Sequence, residues 1–185
     1  MIERGINSPR TSSMGRLFDA AAAILGICGQ ATYEGEPAIE LEAAAWRALD
    51  SEIAHFPDDN AGYSASDPSW LDGPYVLDQK ALFEALLGGI EAGAPADKLA
   101  LDFHVAVARS SARIASDICV PEGIDTVALS GGVFMNRLLL QLLTRELKSA
   151  GFTVLVPHTV PVNDGCIAYG QAAVARTRLA QVAPQ

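Results

Sequence analysis

Several short stretches of this chain carry residue types that do chemistry at the ends of secondary-structure elements. Ser130-Gly131-Gly132-Val133 follows a short apolar run and precedes a leucine-rich one. Glycines at a strand-to-helix turn let the backbone approach a ligand, and the N–H groups opening the helix offer a positive dipole end to a phosphate. The same glycines also suit a tight turn for its dihedrals alone. Asn136 falls in the first turn of the next helix, where it contacts a ligand or caps. Asn163-Asp164-Gly165 opens a last helix, and its aspartate is either a cap or an oxygen ligand for a cation. Asp19 lies inside an alanine-rich helix, where aspartate is mildly unfavourable, so it is solvated or held for a ligand. Glu34-Gly35-Glu36 sets two carboxylates around a glycine, as an acid/base pair or as a solvated turn.

The remaining reactive types give less. His55, His104 and His158 are never four residues apart, so no helical histidine pair for a metal arises locally. His104 falls inside a helix and reads as a structural histidine. The chain has no Gly-x-Ser-x-Gly elbow and no Gly-Lys-Ser/Thr phosphate loop. Cys166 beside Asp164 reads as a small residue at a helix start.

The elements that position these residues follow from periodicity. A helix capped by Ser12 or Ser13 runs to Gly26, and a second starts at Ala38 with Pro37 near its first turn. Residues 56–76 are rich in proline, glycine and aspartate and read as a loop or insertion. Helices are expected over 79–91 and 96–119, the latter with Leu99, Phe103, Val107 and Ile114 facing a core. From Thr126 the pattern changes to a buried strand over 126–129, a helix over 136–150 stopped by Gly151, a strand over 152–157, and a helix over 166–179. Strand, glycine turn, helix and strand form a βαβ unit with parallel strands.

Composition bounds the function classes. Half of the 185 residues are hydrophobic and 19% are charged, a balance for packing rather than disorder. Thirteen basic against 22 acidic residues give a net charge of −9, which argues against a nucleic-acid groove. No run of about 18 apolar residues occurs, so no membrane span is expected. One domain, or at most two small lobes, is expected. Cys28, Cys119 and Cys166 are odd in number and far apart, as suits a reducing cytoplasm.

Longer words in the sequence say more. Ser12-Ser13-Met14-Gly15-Arg16-Leu17-Phe18-Asp19-Ala20, Tyr33-Glu34-Gly35-Glu36, Leu129-Ser130-Gly131-Gly132-Val133-Phe134-Met135-Asn136 and Pro161-Val162-Asn163-Asp164-Gly165 with Gly170-Gln171 stand in that order. Together they resemble the C-terminal region of the HypF family, the carbamoyltransferases of nickel–iron hydrogenase maturation. The resemblance covers residues 7–175.

The resemblance implies an α/β fold: the helix-rich second half of an actin-like ATPase (ASKHA) domain, with a small sheet. It implies residues 1–180 as one C-terminal portion of the carbamoyl-transfer domain, with 181–185 as a frayed tail. Asp19 and Gly35 would contact a nucleotide ribose, Gly131, Gly132 and Asn136 would cradle the nucleotide, and Asp164 would bind a divalent metal ion. No catalytic residue is assigned. The implied ligands are ATP or carbamoyl-adenylate, and the implied acceptor is the C-terminal cysteine of a HypE-like partner, on the route to cyanide ligands.

The family's histidine pair and opposing phosphate loop belong to the first half of that domain, and the three histidines here do not replace them. The isolated chain is therefore expected to be inactive, and, if the protein is split, its missing N-terminal half is an expected partner. Two alternatives stand beside this reading: a non-catalytic or split nucleotide-binding subunit, and a threonylcarbamoyl-transferring relative of the same fold.

Overall fold

The computed structural model describes residues 4–9, 11–50 and 77–182. The loop expected at 56–76 lies outside the described residues, as do residues 183–185 of the expected tail. The chain divides into two compact units, Met1–Ser110 and Ser111–Gln185.

The first unit is helical. α1 (Met14–Ile24) begins after Ser13, which stands at the N-cap in extended conformation but makes no side-chain cap bond. The serine cap expected there is thus a position without its hydrogen bond; instead Thr11 Oγ1 accepts from the Ser13 N–H. Gly26, at φ +68°, takes the chain out of the helix. α2 (Glu36–Asp50) starts two residues earlier than the expected Ala38. Gly35 turns into it at φ +84°, and Pro37 fits its first turn. The Glu36 carboxylate accepts from the backbone N–H and the hydroxyl of Thr32, tying the turn before the helix to its first residue. Those two bonds, the backbone one first, hold the Glu36 carboxyl below the usual carboxylate range.

α3 (Gln79–Glu91) is capped by Asp78, whose carboxylate accepts from Ala81 N–H at 3.0 Å. α4 (Ala96–Cys119) runs across the division between the units. Both helices have the limits that periodicity predicts. Leu99 sits so close over Gly89 that a Cβ there would overlap it. α1 packs on α2 and α3, and Phe18 meets Phe103 edge-on, with centroids 5.3 Å apart. Arg47 of α2 holds Asp97 of α4 through two hydrogen bonds of 3.0 and 2.8 Å. Leu99, Phe103 and Val107 are buried as the stripe predicts, while Ile114 is half-buried.

His104 is a buried polar residue of this core, with no exposed surface. Its ring lies edge-on to Phe18 at 5.0 Å, and its Nδ1 is 2.7 Å from the Ala100 carbonyl oxygen, as a structural histidine requires. Burial pushes its pKa down to about 4, and the carbonyl only partly opposes this.

The second unit holds β1 (Thr126–Ala128), a 3-10 turn (Gly132–Met135), α5 (Arg137–Ser149), β2 (Thr153–Leu155), a 3-10 turn (Asp164–Cys166) and α6 (Ile167–Val182). β1 and β2 pair in parallel, Thr126 with Thr153, Val127 with Val154 and Ala128 with Leu155. Leu138, Leu139, Leu142, Leu143 and Leu147 of α5 are all buried, and α5 packs against β2.

Both strands are shorter than expected, and β1 is more open than the buried strand expected there. Val127 and Val154 are half-buried while their strand neighbours are exposed, the alternation of a sheet covered on one face. α6 reaches Val182, past the expected end at Leu179, and its side chains from Ile167 to Leu179 are exposed. Among the described residues no helix is long and apolar enough to cross a membrane.

The histidine sets a pH dependence. The unfolded imidazole titrates near 6.5 and the folded one near 4, so the unfolded state takes the proton first as pH falls. Stability should hold above about pH 6.5 and decline by about 3 kcal/mol down to pH 4. Urea titrations of the wild-type chain and His104→Gln across that window check this: the variant should lack that part of the slope, and equal slopes would refute it.

Candidate functional site

In the second unit the two chemically suggestive turns leave the same end of the sheet. Gly131 and Gly132 follow β1, and Asn163 and Asp164 lie beyond β2. In parallel α/β sheets, ligands bind outside the carboxyl ends of the strands. The pairing continues past both strands: Leu129 N–H donates to the Leu155 carbonyl at 2.9 Å. The Gly131 N–H then donates to the Val162 carbonyl at 2.8 Å, pinning one turn to the other. The Asn163 amide reaches back to Met135 Sδ at 3.2 Å.

The glycines have different jobs. Gly131 has φ +117° and ψ 157°, a conformation open essentially to glycine alone. Gly132 has no positive φ, and a Cβ there would meet only Asn163 Cβ at 3.9 Å, an ordinary contact. It is exposed, and it opens the 3-10 turn that leads into α5. Helix geometry leaves the first N–H groups of that turn, those of Gly132 and Val133, without an intrahelical acceptor.

Asn136 is buried and caps α5, its Oδ1 accepting from Leu139 N–H at 2.8 Å. Of the two uses open to it, capping is the one seen. At the second turn the cap is Asn163 rather than Asp164: its Oδ1 accepts from Gly165 N–H at 3.1 Å. Asp164 sits exposed in the turn's first residue. The sequence reading had attached the cap to the aspartate; an asparagine two residues before a glycine was the available signal for the Asx turn. Val162, which contributes only a backbone carbonyl, left no signal in its side chain.

Asp19 and Gly35 lie in the first unit, on α1 and at the entry to α2, helices that pack together. Asp19 Oδ2 pairs with Arg16 at 2.9 Å. Its Oδ1 is buried with no hydrogen-bond partner among the described residues, as is Asp102 Oδ1. A buried oxygen in that state keeps an unused acceptor capacity. Glu34 and Glu36 form no acid/base pair, since Glu36 is bound to Thr32 and Glu34 is exposed. Among the described residues no three His, Cys, Asp or Glu gather to hold a metal ion. Asp164 supplies a single carboxylate where a hard cation takes six or more oxygens.

Comparison with known proteins identifies the family. Residues 1–171 match the family described as "Carbamoyltransferase, Kae1-like Domain, second subdomain". A carbamoyltransferase HypF homolog of Cupriavidus necator is 41% identical over 195 aligned positions, which take in the whole of this chain and 46% of that protein. The crystal structure of T. kodakarensis HypF aligns with a TM-score of 0.77 at 31% identity, over 96% of this chain and 21% of that one. A crystal structure of full-length HypF in the phosphate- and nucleotide-bound form gives 0.77 at 34% identity, over 96% and 22%. The chain thus spans under half the length of the first relative and about a fifth of the two structures. The fold is the expected class: α/β, helix-rich, the second half of an actin-like domain with a small parallel sheet.

The two glycines and the two cap candidates separate experimentally. Gly131→Ala should cost about 1–3 kcal/mol, while Gly132→Ala should leave stability nearly unchanged. Asn163→Ala should cost about 1 kcal/mol through the lost cap, and Asp164→Ala less than half of that. Denaturant midpoints of the four variants decide both comparisons; reversed orders would refute the assignments.

Proposed function

The chain belongs to the HypF carbamoyltransferase family, as the second subdomain of its Kae1-like domain, and on that premise we propose that it supplies one wall of the site that transfers a carbamoyl group from carbamoyl-adenylate. The acceptor in this reading is the C-terminal cysteine of a HypE-like protein, and the product feeds cyanide-ligand synthesis in hydrogenase maturation. The thiolate sulfur attacks the carbamoyl carbon; the new C–S bond forms as the bond to the phosphate oxygen breaks, and AMP leaves with that electron pair.

The observation that carries the proposal is the 2.8 Å bond from Gly131 N–H to the Val162 carbonyl. It fixes a glycine turn with free-facing N–H groups beside the Asn163-Asp164 turn, at the strand ends where parallel sheets bind ligands. In this reading Gly131 shapes the turn, Gly132 leaves its face open to phosphate, and Asn136 holds the start of α5 behind it. For the first unit taken by itself, the proposal is that Asp19 accepts from a ribose hydroxyl through its buried Oδ1 and that the φ of Gly35 lets the backbone approach a sugar. The relative solved with nucleotide and phosphate is consistent with such a ligand.

Asp164 is proposed as one ligand of a divalent cation. The described residues offer no set to complete its shell, so no step is routed through a metal here, and the isolated chain should neither bind one tightly nor transfer by itself. In this reading the remaining groups come from the rest of the family protein, and the HypE-like acceptor is a separate partner. Three unpaired cysteines suit a cytoplasmic setting.

Calorimetry with AMP on the family protein carrying this segment tests the nucleotide assignment. Asp19→Ala should weaken binding about tenfold or more, the loss of one hydrogen bond to a charged group, and Gly132→Phe should weaken it by filling the phosphate face. Unchanged affinity in both, with melting intact, would remove the nucleotide from this site.

A further inference from the structure

A second concave surface lies in the same unit, and none of the residues assigned above lines it. It is an open groove of about 490 Å³ between α5 and the chain leaving β2. Leu140 and Val156 supply apolar walls, Thr144 lies between, and Arg145, Lys148 and His158 stand around it. Arg137, Gln141, Arg145 and Lys148 recur at intervals of four, four and three residues, and all four are exposed. They make one stripe along α5 of about 16 Å, at 1.5 Å per residue. Arg145 also pairs with Glu146 at 3.4 Å, a surface pair of small worth.

The charge of the chain is divided unevenly. Residues 1–110 hold seven basic and seventeen acidic side chains, and residues 111–185 hold six and five. The stripe is therefore a basic feature of a chain whose net charge is −9. The groove follows α5 to its C-terminal end, where the helix dipole is negative, so any anion there depends on the side-chain cations and on the apolar wall. Arg145 and Lys148, one helical turn apart beside the apolar wall of Leu140 and Val156, match a polypeptide that carries carboxylates next to an apolar side chain.

We propose that this groove docks an acidic peptide segment of a partner protein. One apolar side chain of that segment seats on Leu140 and Val156, its carboxylates pair with Arg145 and Lys148, and His158 borders the seat. The site is separate from the nucleotide-facing turn, so the two can be disabled independently.

Fluorescence anisotropy on the full chain tests this with a labelled twelve-residue peptide of Glu and Asp with a single central Leu. Arg145→Glu with Lys148→Glu should weaken binding about tenfold or more, and Lys148→Gln alone should weaken it measurably. Arg113→Glu with Arg178→Glu, elsewhere in the same unit, should leave it within twofold. Replacing the peptide's Leu with Ser should weaken binding several-fold, and a Gln/Asn version of the peptide should not bind.

Thermal melts unchanged from wild type establish that the variants are folded. Equal weakening by the Arg113/Arg178 variant, indifference to the central Leu, or no binding of the acidic peptide would each overturn the proposal. So would sedimentation velocity showing a concentration-dependent dimer that Lys148→Gln abolishes, because the occupant would then be a second copy of the chain.

Discussion

Two parallel strands of three residues each are too little sheet to persist in water unless something covers them. In the second unit the cover is α5, whose five leucines turn one face inward. That burial sets the rest. With Val127 paired to Val154, the strands end level, and the chain must turn at Gly131 on one side and run through Val162 on the other. The two turns then lie close enough for a backbone hydrogen bond, and both helix starts acquire asparagine caps. The geometry of the candidate site is thus a consequence of leucine burial along a helix that contributes only its first turn to it.

Much of this was legible because it is local or periodic. The limits of α3 and α4 follow from apolar spacing and from turn residues at their ends, and the inward leucines of α5 are a plain 3.6-residue pattern. Details that depend on a second segment were not. Nothing in Ser13 distinguishes a serine that bonds a helix N–H from one that merely precedes the helix. Nothing in Asp164 says that its neighbour Asn163 takes the cap. Three-residue strands covered on one face look, in sequence, like the middle of buried ones, since exposure is set by what packs against them. The 3-10 turns at Gly132 and Asp164 are too short for any period.

The candidate site residues stand out by their order in long words of sequence rather than by their chemistry, and the structure explains why chemistry alone is weak. Each has an ordinary structural occupation: Gly131 a glycine-only conformation, Asn136 a cap, Asp19 an ion pair with Arg16. A residue already employed in the fold gives no composition signal for a second task. It does gain preorganisation, because groups locked by their own packing lose little freedom when a ligand arrives.

Asp19 and Asp102 mark how far that reasoning goes. Both are aspartates on helices, both give one oxygen to a cation on the same helix, Arg16 three residues back and Lys98 four residues back. Both leave the other oxygen buried without a partner among the described residues. A buried acceptor in that state costs about 1–3 kcal/mol, so two such costs are present in the first unit and local energetics rank them equally. Only Asp19 lies in a word shared with a carbamoyltransferase family. Burial identifies the oxygens that a ligand would relieve, and the family word is what singles out Asp19 for the proposed nucleotide contact. If Asp102 carried its cost for a ligand as well, substituting it would change affinity as is proposed for Asp19; a change in stability alone leaves it a tolerated defect of packing.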